Sequence, residues 1–560
     1  MTGQEFESFP SEINQKNLEE ITAQPLLNYL FALGYCKGDL NFENTNDNLN
    51  VIYENLIYQV YERTWEQYGH PTLKSTNRND FVRILEEIGV VCWHSNGLTA
   101  TKSEIEKRCN KNNLKRMLDI FQEGAKEGVT RLLTAFYFRQ SGEIRDSEHT
   151  FEFTHKSFGE YLISKRIVRE LELIQRQSEL HLEDSDVGWD ERTCLMRWIM
   201  LCGPSPVDEY LFRYILDELR LKNPNWVCQL QEKICSLIRY MLTFGMPMEV
   251  LESRVSYLQE MNEARNAEEA LLAVLNACAQ ISKQISNIDW PSPTAFGSWL
   301  SRLQAQRIGY ENAFAFKCLS FLNLSNCILI FKDLYAANLQ ATNLEGANLE
   351  GANLSRANLE GSNLSRAILT RANLRRTRLR ETNFERAYLE EANLERATFI
   401  QANLTRAYLK NANLDWANFE SANLSQAQIQ NTVFRQVNFN KAVLIGAELI
   451  NTTFIKVNLV GTILGGANLE KSNFFQEQLV GANFDWANLS EANLSEANLL
   501  GADFTDANLY KANLSNAKLV EANLTRANLE EANLEEANLE EVIFKDTNLK
   551  NAAINASGNT

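Results

Sequence analysis

A five-residue period runs from Leu319 to Ile554 without a slip of frame. Leu or Phe, with Ile429 and Ile554 as the exceptions, occupies every position whose number ends in 4 or 9. The residue two before it is mostly Ala, sometimes Thr, Ser, Val or Cys; only Lys317, Leu322, Lys332 and Glu477 depart from this. The residue between is very often Asn, as in Ala347-Asn348-Leu349. Five matches neither the helical nor the strand period. On a helix, successive Leu positions would advance about 140° past a full turn and smear round the surface. Within a unit, Ala-Asn-Leu alternates small, polar and large, which is three residues of strand with Ala and Leu inward and Asn outward. The next two residues are commonly Glu, Ser, Arg, Gly, Lys or Asp and suit a solvated corner. Each unit is thus one short side of a coil, and the chain's C-terminal part is a solenoid.

The phenylalanines set the number of sides. Phe399, Phe419 and Phe439 lie twenty residues apart, as do Phe434, Phe454 and Phe474, and again Phe484 and Phe504, with Phe544 two such steps on. A coil of twenty residues turns each series into a column of stacked rings and has four sides.

Units of this kind are the pattern of the pentapeptide-repeat family, whose motif is Ala-Asp/Asn-Leu-x-x. The resemblance implies a right-handed, four-sided β-helix of about twelve coils, roughly 55–60 Å long at about 4.8 Å per coil. Ala suits the second inward position because two large residues per side would overfill so narrow a core. Lys317, Leu322 and Lys332 fall in the first coil, where an irregular start is expected. Glu477 places a carboxylate at an inward position in mid-rod: either that side bulges or Glu477 reaches the corner, and the bulge is expected. The residues after Ile554 are short and polar, so an uncapped end is expected.

Composition narrows the class. The net charge is −17 over 560 residues, which argues against general nucleic-acid affinity. There is no apolar run long enough to span a membrane, and the acidic, polar N-terminus does not read as a signal peptide. The ten cysteines form no Cys-x-x-Cys pair, and the five histidines are dispersed. Free thiols in a reducing cytoplasm, with no metal and no cofactor, are the expectation.

The first 310 residues carry no repeat and read as mostly helical. Residues 14–34 form one helical stretch. Asn48 to Tyr68 has a stripe of Val51, Ile52, Leu56, Val60 and Tyr61, and Asp80 to Cys92 has one of Phe81, Ile84, Leu85 and Ile88. Helices follow at 102–109 and 113–123. Thr130 to Phe138 reads as a strand, Gln140 to Glu143 as its turn, and Thr150 to Phe153 as its partner. A helix capped by Ser157 runs to about Gln175. Three helices, a hairpin and a closing helix describe a winged helix. The fold class is therefore α+β multidomain: a helical segment (1–47), a winged-helix-like domain (48–176), a helical domain with the solenoid cap (177–312) and the rod (313–555).

The segment Phe151-Glu152-Phe153-Thr154-His155-Lys156-Ser157-Phe158-Gly159-Glu160-Tyr161-Leu162 resembles the end of the winged-helix domain in NACHT-type STAND NTPases. That resemblance implies a nucleotide-sensing role for His155, since the motif's histidine contacts the phosphate of bound ADP. Such NTPases need a Gly-x-x-x-x-Gly-Lys-Ser/Thr loop to cradle phosphates, and this sequence has none. The chain therefore resembles the regulatory half of a STAND-type signalling protein, acting with a separate NTPase subunit.

With no nucleophile–base set, metal set or phosphate loop, a non-enzymatic adaptor or sensor is the expected function. Two alternatives stand beside it: a DNA mimic that binds topoisomerase, as some pentapeptide-repeat proteins do, and a winged-helix nucleic-acid binder. Charge placement bears on all three. Residues 351–410 hold eleven Lys/Arg against six Asp/Glu, net +5, whereas residues 411–550 hold nine against eighteen, net −9. A DNA mimic should be acidic throughout. Arg356, Arg376 and Arg396 are twenty apart, as are Arg366, Arg386 and Arg406. They are expected to form two columns on opposite corners, a candidate surface for an anionic partner. The first part has one basic stretch, Lys107, Arg108, Lys111, Lys115 and Arg116.

Overall fold

The computed structural model describes residues 48–66, 78–95, 99–112, 114–116, 138–145, 148–153, 156–250, 256–304 and 314–554. The helical stretch expected at 14–34, most of the helix at 113–123 and nearly all of the strand at 130–138 lie outside them. The chain divides into two compact units, one ending at Ser282 and one beginning at Lys283.

The N-terminal unit contains, among its described residues, α1 (Leu49–Glu66), α2 (Arg78–His94), β1 (Thr99–Thr101), α3 (Lys102–Lys111), β2 (Phe138–Arg145), β3 (Glu148–Phe153), α4 (Lys156–Glu183), α5 (Glu191–Cys202), α6 (Glu209–Arg220), α7 (Pro224–Phe244) and α8 (Tyr257–Ser282). The three strands form one antiparallel sheet in the order β1-β3-β2. The helical stripes are where the period puts them: Ile52, Leu56, Phe81, Ile84, Leu85 and Ile88 are all buried in one core with Tyr161 and Leu162 of α4. Helix α3 begins at a reciprocal cap, with Thr101 and Glu104 each bonding the other's backbone N–H.

The hairpin differs from expectation. The polar run Ser141-Gly142-Glu143 lies inside β2, not at its end. The pairing jumps from Gln140↔Phe151 to Ile144↔His149, so the run is absorbed as a bulge and the chain reverses only between Arg145 and Glu148. Ser157 lies within α4, which begins at Lys156, and its hydroxyl accepts from the buried Tyr53 Oη at 2.9 Å.

In the C-terminal unit, parallel bridges join residues twenty apart. The first is Asn323↔Asn343 and the last Asn533↔Ala553, in four ladders that start at 323, 328, 333 and 338. The expected stacks form: the rings of Phe399 and Phe419 lie 4.6 Å apart, Phe419 and Phe439 5.1 Å, Phe434 and Phe454 5.0 Å, and Phe454 and Phe474 4.2 Å.

Every backbone N–H of a regular unit has a partner. Leu344 N–H donates to Asn363 O of the next coil, Gly346 N–H to Ser365 O, Ala347 N–H to Leu344 O within the turn, and Asn348 N–H to Cys327 O of the coil before. The fifth, Glu345 N–H, donates to the side-chain Oδ1 of Asn343 at 3.2 Å. The Asn amides also bond one another, Asn363 Nδ2 to Asn343 Oδ1 and Asn383 Nδ2 to Asn363 Oδ1, both at 3.2 Å. Asn faces outward as expected, and it completes the hydrogen-bonding of its unit. Where Thr or Ser replaces Ala, the hydroxyl in most units reaches a Leu carbonyl, as Ser362 does to Leu339 at 2.6 Å.

The corners are left-handed. Each residue numbered in 1 or 6 from Phe321 to Asn551 has φ between +52° and +66°. Except at Gln436 and Lys456, where the flanking residues pair as strands, that is the third position of a type II turn, where Gly or Asn is favoured and most side chains cost about 1–2 kcal/mol. Most of these corners here are Arg, Glu, Lys, Gln or Ser, held by the bonds on either side.

Glu477 corrects the expected bulge. The bridges Asn458↔Gln478 and Gln478↔Asn498 keep register through it, and its own N–H makes the usual turn bond to Phe474. Its carboxylate is turned to the preceding coil, where Oε1 accepts from Lys456 N–H at 2.6 Å and Oε2 from Val457 N–H at 2.7 Å. That coil departs from the common form: Thr453–Ile455 pairs with Val433–Arg435 as short parallel strands. The carboxylate takes the two N–H groups this corner leaves over. Burial pushes the Glu477 carboxyl above its usual range, against the pull of the two N–H groups.

The first coil is covered by α9 (Ala295–Gln304), which buries Phe296, Trp299 and Leu300. Ser286 bridges Leu322, Ile328 N–H donates to Pro293 O, and Trp290 Nε1 donates to Asn323 O. A Cβ at Gly297 would lie 3.0 Å from Ile328 O, so glycine permits this close approach. Of the irregular residues, Leu322 is buried, Lys317 is exposed and Lys332 Nζ donates to Ser301 Oγ. At the other end Leu539, Val542, Phe544 and Leu549 are half-buried, although they occupy inward positions.

Candidate partner-binding surface

The six arginines all sit at left-handed corners, with φ of 56–60°, and all are exposed. The turn fixes the backbone and aims the side chain away from the rod. Arg366, Arg386 and Arg406 border one face, and Arg356, Arg376 and Arg396 stand half a coil away.

The column arginines are loosely paired. Arg366 lies 3.7 Å from Glu345, Arg386 3.8 Å from Glu385 and Arg396 3.7 Å from Glu395. Arg376 has no ion pair among the described residues. Arg406 Nε donates to Gln426 Oε1 at 2.7 Å. Their neighbour Arg375 instead holds Glu395 with two bonds at 3.0 and 3.1 Å. Exposed pairs at such distances contribute little and exchange readily. Two column members also face aromatic rings, Arg356 at 6.0 Å from Tyr335 and Arg396 at 5.5 Å from Trp416.

Sequence reasoning missed the strip beside the first column. On the face that follows Arg366, Arg386 and Arg406, the middle positions are Ile368, Tyr388, Tyr408 and Gln428, bridged in series where Asn would be usual. The rings of Tyr388 and Tyr408 stack at 4.9 Å and 3° between planes. Tyr388 remains 42% exposed. Reading the middle positions twenty apart, as was done for Phe, finds this strip. Counting the first turn residues twenty apart finds a second one, with Val460 and Leu500 exposed beside the glycine corners Gly461, Gly481 and Gly501. Arginine and stacked tyrosine on a rigid face are the side chains that anchor protein interfaces.

His155 lies outside the described residues. Its neighbours in the motif are core: Phe158, Tyr161 and Leu162 are buried, and Tyr161 stacks on Tyr53 at 5.4 Å. Among the described residues no His/Cys/Asp/Glu group is placed to hold a metal, and no helix is long and apolar enough to cross a membrane.

The model of the family described as pentapeptide repeats matches successive stretches from 318–356 to 517–553. Among solved structures, the chain is similar to HetL, a pentapeptide repeat protein involved in heterocyst differentiation regulation from the cyanobacterium Nostoc sp. strain PCC 7120. The two share 32% identity over 39% of this chain and 89% of HetL, with a TM-score of 0.22. It is also similar to alr5209, a pentapeptide repeat protein from Nostoc PCC 7120, at 31% identity over 17% of this chain and 84% of that one, TM-score 0.14. QnrB1, a plasmid-mediated fluoroquinolone resistance protein, aligns at 16% identity over 32% of this chain and 91% of its own, TM-score 0.25. No curated protein matches the chain. The chain belongs to the pentapeptide-repeat family through its C-terminal unit.

Proposed function

We propose that the chain is a non-enzymatic interaction protein whose rod binds an acidic protein partner on the face bordered by Arg366, Arg386 and Arg406. The observation that carries this reading is the juxtaposition of loosely paired, outward arginines with the Tyr388–Tyr408 stack. In this reading the rod is a right-handed, four-sided helix of about twelve coils. The order α1-α2-β1-α3-β2-β3-α4 supports a winged-helix reading of the N-terminal unit. With it goes the role of regulatory half of a STAND-type system, cytoplasmic and working with a separate NTPase subunit.

A photo-crosslinker placed at Tyr388 in the full chain tests the surface. An acidic protein captured by the parent and lost from Arg386→Glu/Arg406→Glu supports it; capture unchanged by the double reversal removes it. The purified chain is expected to show no ATP turnover, and activity that follows the protein through gel filtration overturns the non-enzymatic reading.

A second reading draws on the distal coils. The exposed corners Glu491, Glu496, Glu521, Glu531, Glu536 and Glu541 give that half an acidic surface of the kind a DNA mimic needs. Inhibition of a topoisomerase by the full chain, lost on reversing those corners but kept on reversing Arg386 and Arg406, would favour it.

A further inference from the structure

The second strip leads to an unpartnered apolar face in the distal coils. Val443 and Ile463 are bridged at its middle positions. Val460, Val480 and Leu500 stand along one border, and Ile445 and Trp486 along the other. Val460, Ile463 and Leu500 are 41%, 39% and 39% exposed, and Trp486 is 68% exposed. Between Lys441 and Asp506 five left-handed corners are glycine, namely Gly446, Gly461, Gly466, Gly481 and Gly501, and all five border this face. The other two borders carry Asn451, Lys456, Lys471, Gln476, Glu491 and Glu496. A positive φ favours glycine at any corner, but it does not gather glycines beside one face. Packing within the rod does not require them either: a Cβ at Gly481 or Gly501 would meet nothing within 4 Å. Glycine here clears side chains from the surface, so that another surface can approach the backbone closely.

The edge made by Val460, Val480, Leu500 and the corners Gly461, Gly481 and Gly501 carries opposite charges at its two ends. Lys441 occupies the corner before Gly461, and Glu521 the corner after Gly501. Both are exposed, and neither has an ion pair among the described residues. At roughly 4.8 Å per coil they stand about 19 Å apart. Turned end for end about Gly481, the edge matches itself. Gly461 falls opposite Gly501, Val460 opposite Leu500, and Lys441 opposite Glu521, once on each side of the axis. That is the self-complementarity a two-fold contact requires. The next residues outward in the apolar row's position, past Asn440 and Val520, are Glu420 and Glu540. They would fall opposite each other and limit the contact to these coils. Toward the far border the distal coils turn acidic. There Asp503 is bonded to Thr505 and Asn523, Asp506 to Arg526, and Asp485 is half-buried, so the edge is the part that fits a second copy.

We propose that this edge is the contact between two copies of the chain laid antiparallel, with the two-fold axis level with Gly481. Burial of Val460, Val480 and Leu500 supplies the attraction, the glycines the close approach, and the paired charges the register. The contact is small, at the low end of specific interfaces, so monomer and dimer are in equilibrium. It lies in other coils than Arg366, Arg386 and Arg406 and stands or falls independently of the function proposed above.

Sedimentation of the full chain over a concentration series, at constant ionic strength, tests it. A dimer is expected, with Kd in the range of about 1–100 μM. Gly481→Arg should raise Kd by about tenfold or more, because the turn accepts arginine, as at Arg366 and Arg386, while the side chain stands in the contact. Gly361→Arg lies on the same edge outside the contact, and a Cβ there also meets nothing within 4 Å. It should change Kd by less than about twofold. Lys441→Glu and Glu521→Lys should each raise Kd by about threefold to tenfold, and the double reversal should bring it back to within about twofold of the parent. Circular dichroism identifies variants that remain folded. A chain that stays monomeric well above that range, a Kd indifferent to Gly481→Arg, equal effects of the two glycine variants, or a double reversal no tighter than the single ones would overturn the proposal. Association through the open last coil would give the second of these results.

Discussion

The rod and the helical unit are held together in opposite ways. In the rod the same five N–H bonds recur in coil after coil, and each coil touches only its neighbours. In the helical unit, a few buried ion pairs tie together helices far apart in sequence. Glu87 of α2 accepts from Arg108 of α3 and Arg166 of α4, both at 2.7 Å, and Glu86 accepts two bonds from Arg169. Repetition spreads stability over many equivalent small contacts. A singular network concentrates it in residues that have no substitute.

The largest effect should come from breaking that network. Arg166→Met leaves Glu87 and Glu170 under-compensated in the interior and should cost about 3–5 kcal/mol. Calorimetry should then show the helical unit melting early while the rod's transition stays in place; a single shifted transition would mean that the two units do not unfold separately. Next is Phe454→Ala, which empties the middle of a three-ring stack and should cost about 3 kcal/mol or more. Hydrogen exchange should rise in the coils around 434–474 and not in the distal rod.

Glu477→Ala should cost about 2 kcal/mol, because the Lys456 and Val457 N–H groups lose their acceptors. Acid should act on Glu477 and Glu87 with opposite sign. Burial raises the Glu477 carboxyl, so its contribution to rod stability is present at low pH and lost as pH rises through that raised value. Burial also acts on Glu87, but Arg166 and Arg108 outweigh it and hold the carboxyl low. Its stabilisation is therefore present at neutral pH and lost as pH falls through that depressed value. Glu86, raised by burial, works in the direction of Glu477. Glu477→Gln should remove this one contribution to the rod's pH dependence and leave that of the helical unit.

The smallest effect tests the corners. A Cβ at Gly481 would meet nothing within 4 Å, yet the residue has φ of +63°. Gly481→Ala should cost about 1 kcal/mol from backbone conformation alone. A neutral result would show that the neighbouring bonds impose the corner at no cost to alanine.

Legibility followed the same division. The rod could be read because its inward residues repeat at one spacing, so the Phe columns and the arginine corners both follow from counting. Two of its features could not. Arg, Glu and Lys do not announce a positive φ, and a lone Glu at an inward position says nothing of which N–H groups lie opposite. The Tyr388–Tyr408 strip was accessible to the same counting, since tyrosine there stands at a position that most units fill with Asn. In the helical unit the periodic stripes located α1 and α2. Ser141-Gly142-Glu143 has the composition of a turn whether it reverses the chain or bulges a strand, so local chemistry could not place it. The ion-pair cluster was invisible in sequence because Arg108, Arg166 and Arg197 meet Glu87 and Glu170 only once the helices pack.

The asparagine ladder also bears on the electrical polarity of the rod. In each regular unit two peptide groups direct N–H toward the following coil and one toward the preceding coil, which leaves one uncompensated peptide dipole of about 3.5 D per unit pointing along the axis. The side-chain amides run the other way, since each Nδ2 donates back to the preceding coil. An unbroken column of asparagines thus opposes the axial field that its own backbone builds. Where Ile368, Tyr388 and Tyr408 replace asparagine, that opposition lapses on one face, beside the Arg366, Arg386 and Arg406 corners.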